Sequence, residues 1–168
     1  MDGRPYFISV EEARTICNTT PVQPNTEHLP LDRCIGRVLA EDLTSKVDDP
    51  PFDNSAMDGF ACKFDSEATY PLSLNIVGLQ AATGENEALT LWVGEGVPIL
   101  TGAPMPPGAD AILPIERCEV TGQYVRLLEP PKPHFVRKKG ENLEQGAVAL
   151  SKGQHLTPSR VGLCATMG

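Results

Sequence analysis

Apolar and polar positions along most of this chain alternate in runs too short for helices. Between Gly59 and Pro131 the runs are Phe60 to Phe64, Leu72 to Leu79, Thr90 to Val93, Val97 to Leu100, Ala111 to Leu113, Arg117 to Val120 and Tyr124 to Leu128. Turn residues bound each of them, and Thr121-Gly122-Gln123 reads as a hairpin loop. Short strands at this spacing predict a small barrel or sandwich.

Helical signals sit only near the ends. Ser9 followed by Glu12 is a capping box, opening a helix to about Cys17 with Val10, Ala13, Ile16 and Cys17 as its apolar stripe. Thr157-Pro158 is an N-cap with proline at the first helical position, opening a second helix that runs to about Met167, where Gly168 can cap it. A helical turn is expected around Asp32 to Ile35, ending at Gly36, and a long strand from Val38 to Val47. Phe135 to Lys138 and Ala147 to Leu150 read as strands, with Gly140 to Gly146 between them. The expected fold is therefore mainly β with a few short helices (α+β). Its organisation is an inserted β-rich domain, residues 48–130, between two flanks, residues 1–47 and 131–168, which must pair with each other. Flanks this short and poor in aromatics bury little surface alone, so dimerisation is expected on physical grounds.

Composition fits that picture. In 168 residues, 15 glycines and 16 prolines favour turns over helices, and 5% aromatics leave a mostly aliphatic core. The net charge of -8 opposes nucleic-acid binding, except through a local basic patch at Arg137-Lys138-Lys139, near Lys132 and His134. Five scattered cysteines form neither a disulfide framework nor a zinc pattern, which suits a reducing cytoplasmic compartment. No apolar run is long enough for a membrane span, and Met1 to Pro5 lacks a secretory leader.

Three polar loops carry the chemistry. In Phe52 to Gly59, residues Asp53, Asn54, Ser55 and Asp58 can meet a ribose, a pterin edge or a hydrated Mg²⁺. Equally, Ser55 and Asp58 can cap a single helical turn closed at Gly59. In Leu100 to Ala111, Thr101-Gly102 lets a hydroxyl and bare backbone approach a ligand on a proline-stiffened loop, or simply connects two strands. In Arg137 to Asn142, cations beside a glycine turn suit phosphate oxygens, or form a solvated hairpin end.

Taken together these loops resemble one family. Pro51-Phe52-Asp53-Asn54-Ser55-Ala56-Met57-Asp58-Gly59, Thr101-Gly102-Ala103-Pro104 with Gly108-Ala109-Asp110-Ala111, and Gly140-Glu141-Asn142 with Gly146 are similar to the motifs of the MoeA and gephyrin E family. Leu31 and Gly36 to Ala40 fit as well, so the likeness covers nearly the whole chain. The resemblance implies molybdenum cofactor biosynthesis: adenylylated molybdopterin, supplied by a partner adenylyltransferase, accepts molybdate and releases AMP, with Mg²⁺ assisting. It implies an elongated homodimer, in which this β-rich part faces a downstream α/β domain of the other subunit.

By the same resemblance Asp58 acts at the metal or at AMP release, and Thr101 contacts the pterin. Asn54, Ser55, Gly102, Arg137, Glu141 and Asn142 are secondary substrate-binding candidates. Where the family commonly has Asp, this chain has Asn142, which can orient a group but brings no charge. Family members continue into an α/β domain and a last β domain beyond a position like Gly168, so the chain alone is expected not to insert molybdate. The other readings are a scaffold module of the same fold and an unrelated sugar-phosphate or nucleotide enzyme.

Overall fold

A computed structural model describes residues 7–22, 24–79 and 89–168; the leader reading at Met1 to Pro5 lies outside them. The described residues are mainly β, with two α-helices. Helix α1 (Val10–Thr19) starts on the expected capping box: Ser9 Oγ accepts the Glu12 amide (3.1 Å) and Glu12 Oε2 accepts the Ser9 amide (2.8 Å). None of its residues is buried. Helix α2 (Pro158–Thr166) is capped by Thr157, whose side chain accepts the Arg160 amide.

The strands are β1 (Leu43–Thr44), β2 (Asn54–Ser55), β3 (Gly59–Cys62), β4 (Leu72–Ile76), β5 (Glu95–Ile99), β6 (Ala111–Pro114), β7 (Cys118–Thr121), β8 (Tyr124–Leu127), β9 (Val136–Arg137) and β10 (Val148–Leu150). Six of them form one sheet in the order β6-β3-β5-β4-β8-β7, antiparallel except for β4 beside β5. Its edge strands β6 and β7 are consecutive in sequence, joined only by the 3-10 turn Ile115–Arg117. A connection that short holds the two edges together, so the sheet curls. β5 tolerates Pro98 because its ladder to β4 stops at Gly96, leaving no neighbour there for the missing N–H.

Both faces of the sheet are covered around β3, all four of whose residues are buried. Phe60 and Cys62 point into the curl with Leu74, Leu113, Val125 and Leu127. Ala61, between them, points the other way, into a cluster with Leu91, Val97, Ile99, Ala103, Ile112 and Val136. Alternation along one strand thus feeds two apolar clusters. The second cluster contains Ala103, from the second polar loop, and Val136, which immediately precedes the third.

Several sequence expectations are corrected. The long strand from Val38 to Val47 is only β1 plus an isolated bridge from Val38 to His155. Residues 36–47 still run antiparallel beside 146–156, through Gly36 N to Leu156 O (2.9 Å) and Ser45 N to Ala147 O (2.9 Å). Between those bonds the Asp42 carboxylate takes the Lys152 amide (2.6 Å), so a side chain replaces the ladder. Thr90 to Val93 is not a strand: the Glu95 carboxylate accepts the Trp92 amide (2.9 Å) and folds the stretch into a turn at Gly94. Phe135 to Lys138 is split between the 3-10 turn Pro133–Phe135 and β9. No helical turn closes at Gly59, since Ser55 is in β2 and Gly59 already opens β3. The early helical turn sits at Leu31–Arg33, one residue ahead of its expected start.

Candidate functional site

β2 is where the three polar loops meet. On one side it pairs antiparallel with β9, Asn54 opposite Arg137 and Ser55 opposite Val136. On the other it meets the Thr101 turn: Gly102 N donates to Ser55 O (2.8 Å), Ser55 N to Ala103 O (3.0 Å), and Asn54 bridges Pro104. A two-residue strand therefore sets the Thr101 turn and the Arg137 turn on its two flanks. The Ser55 side chain does not reach outward. It is buried, its hydroxyl donating to Met57 O and accepting the Met57 amide (3.2 Å). Asn54 is 7% exposed, and its Oδ1 is buried without a hydrogen-bond partner. Both residues shape the site from beneath.

Asp58 and Thr101 do come together, and both are exposed. Asp58 Oδ1 accepts the Thr101 hydroxyl (2.7 Å) and the Thr101 amide (2.6 Å). Those two bonds hold the Asp58 carboxyl below its usual 3.8, so it is ionised at neutral pH. A threonine hydroxyl has one proton, and here it is committed to Asp58. Thr101 Oγ1 therefore meets a ligand as an acceptor, which selects for an N–H or O–H donor on that ligand. Gly102 has φ +81°, and a Cβ built on it would meet nothing within 4 Å. At this position backbone conformation, rather than lack of room, calls for glycine.

The Arg137 turn is built differently. Glu141 receives Arg137 Nε (2.8 Å) and the Lys138 amide (2.8 Å), and these lower its pKa, Arg137 contributing most. Asn142 accepts from Arg137 (3.3 Å) and donates to Asp49 Oδ2 (3.1 Å). Lys138 pairs with Asp53 (2.7 Å) and Lys139 with Asp48 (3.2 Å). The one basic run of the sequence is thus answered by carboxylates of the chain, so it presents no open basic patch. Asp48 and Asp49 were absent from the sequence-derived site residues, and Asp53 was read only as a polar member of the Phe52 to Gly59 loop, without its tie to Lys138 and Lys139. Their signal was an acidic run opposite in sign to Arg137-Lys138-Lys139. Asp110, from the second motif, ties Phe64 and Lys63 to its loop, accepting the Phe64 amide at 2.6 Å.

Among the described residues no three of His, Cys, Asp or Glu gather as a metal-binding group. Asp58 brings one carboxylate. A hydrated Mg²⁺ can be held by one or two carboxylates together with substrate phosphates. Asp58 fits as one ligand of such an ion, not as a complete site. No helix of the described residues is long and apolar enough to cross a membrane.

The fold, with its β2-centred arrangement of loops, is that of a known domain pair. Residues 8–168 match the model of the MoeA N-terminal region (domain I and II), and the chain belongs to that family. It is 37% identical over 147 residues to a molybdopterin molybdenumtransferase of Synechococcus elongatus, covering 84% of this chain and 36% of that protein. To the molybdopterin molybdenumtransferase of Haemophilus influenzae it is 34% identical over 166 residues, covering 96% of this chain and 40% of that protein. The crystal structure of the molybdopterin biosynthesis MoeA protein from Pyrococcus horikoshii superposes with a TM-score of 0.76 at 30% identity, over 96% of this chain and 42% of that one. The chain thus spans 36% and 40% of the two sequence relatives' lengths.

Proposed function

We propose that this chain supplies the N-terminal part of a molybdopterin molybdenumtransferase, acting in molybdenum cofactor biosynthesis. The reaction joins molybdate to the dithiolene of adenylylated molybdopterin and releases AMP. The observation that carries this reading is the Asp58–Thr101 pair, two exposed residues from separate family motifs, the Asp58 carboxylate accepting the Thr101 amide at 2.6 Å and its hydroxyl at 2.7 Å. An ionised carboxylate backing an acceptor hydroxyl suits the N–H groups along a pterin edge. Asp58 is also the residue that would help hold Mg²⁺ against the substrate's phosphates, where the ion would offset negative charge as AMP leaves.

The wider reading places residues 48–130 as an inserted barrel-like domain and residues 1–47 with 131–168 as a discontinuous dimerisation domain. In it the protein is a cytoplasmic homodimer that receives its substrate from an adenylyltransferase. Apolar side chains exposed along the first flank support an interface there, among them Val10, Ile16, Val22 and Ile35.

The test is cofactor synthesis from adenylylated molybdopterin and molybdate by the complete enzyme carrying Asp58→Asn or Thr101→Val. Hydrogen bonds to charged groups contribute about 1.5–3 kcal/mol, so each variant should lose about tenfold to a hundredfold in kcat/KM. Unchanged cofactor synthesis in both variants would remove the pair from the site.

A further inference from the structure

The turn that follows β9 is closed largely by groups from elsewhere in the chain. The amides of Gly140 and Asn142 donate to the carbonyls of Pro50 and Asp49 (2.9 Å each). The Lys139 amide finds its acceptor 86 residues back, at Asp53 Oδ1 (2.8 Å). Asp53 Oδ2 takes Lys138 Nζ (2.7 Å), and the main-chain carbonyl of Asp53 takes the Met105 amide (2.9 Å). One residue is therefore bonded at once to the Arg137 turn and to the loop that begins at Thr101. It also immediately precedes Asn54 and Ser55, the two residues of β2.

We propose that Asp53 is a positioning residue, which sets where the Arg137–Glu141 turn stands relative to β2 and the Thr101 turn through its bond to the Lys139 amide. The β2–β9 ladder has only two residue pairs and ends at Arg137, so it does not fix the turn beyond. Of the two bonds made by the carboxylate, the one to the amide is decisive. The Lys138 ion pair is exposed, and such pairs contribute little. The Lys139 amide is part of the main chain, so its bond ties the turn's backbone directly, whereas the Lys138 ammonium ends a flexible four-carbon stem. The inference rests on the molybdenumtransferase reading, in which one ligand spans both loops and so needs them in a single register.

The experiment follows backbone and arginine side-chain N–H signals by NMR in the purified protein, comparing Asp53→Ala, Asp53→Asn and Lys138→Met with the parent. Asp53→Ala should lower protection of the Lys139 amide against exchange about tenfold, as loss of one such bond implies. It should also broaden the Arg137 Nε–H signal while leaving the Thr101 amide, held by Asp58, in place. Asp53→Asn keeps an oxygen facing Lys139 and should restore both signals. Lys138→Met should change neither, and serves if the alanine variant does not fold. Full protection in Asp53→Ala, no rescue by Asp53→Asn, or lost Lys139 protection in Lys138→Met would each overturn the proposal. In cofactor synthesis Asp53→Ala should raise KM for adenylylated molybdopterin about fivefold with kcat unchanged. If the complete enzyme with Asp53 intact makes no cofactor, the functional reading fails while the NMR comparison still decides the role of Asp53.

Discussion

At the scale of residues, Asp58 and Thr101 define a pH dependence with a clear sign. The folded carboxyl lies below its usual 3.8, so the pair contributes fully above that value and is lost as pH falls through the depressed one. The Thr101 amide shift should hold steady from about pH 8 to about pH 4 and move only below the ordinary carboxylate range. A midpoint above 3.8 would contradict the geometry. Two glycines separate steric from conformational requirement. A Cβ at Gly59 would collide with the carbonyl of Leu113 on the paired strand β6. Gly59→Ala should therefore cost about 1–3 kcal/mol as overpacking, read as a lower midpoint of denaturant unfolding. Asp58 and Thr101, which the structure brings together, each sit inside a dense motif, whereas Gly59 was misread as closing a helical turn and instead opens β3. Asp53 belongs to the same motif as Asp58, but its positioning bonds were not legible, because their partners lie 85 and 86 residues away, to which no local pattern points.

Elements were legible wherever their signals are local. Ser9 with Glu12, and Thr157 with Pro158, each fix a helix start within four residues, and both helices begin there. β8, whose exposed and buried positions alternate, also fell where expected, because burial on one face enforces period two, and β6 was marked instead by a short apolar run buried on both faces. The failures are two-residue strands and side-chain-closed turns. β2 and β9 are too short to show any period, and at Asp42 and Glu95 a carboxylate takes a backbone amide that a ladder would otherwise use. α1 is an instructive limit, since its cap is complete yet it buries nothing. Ser9→Ala should destabilise that helix by about 1 kcal/mol, visible as lower helical circular dichroism. The unfolding midpoint of the sheet should stay where it is, because among the described residues neither apolar cluster includes a residue of α1.

At the scale of the whole molecule, the two apolar clusters divide the work. The one inside the curl closes the sheet, and the one on the outer face also grips Ala103 and Val136. Leu127→Ala and Ile112→Ala should both destabilise the protein, by about 2–5 kcal/mol. Only Ile112→Ala should also shift the Thr101 amide signal, because Ile112 belongs to the cluster under the Thr101 turn. Equal perturbation of that signal by both substitutions would argue against separate roles.

The step from Thr101, open to solvent, to Ala103, wholly enclosed, takes two residues. Such an anchored hydroxyl behaves as a bench, not as a jaw: cargo laid on it is gripped from below and left wet from above. Electrostatic help from Asp58 is weak so long as water stands over it, since bulk solvent screens a charge that a dry pocket would not. The described residues leave the pair uncovered, so the Asp58 charge would gain strength over a ligand only where water is kept off it.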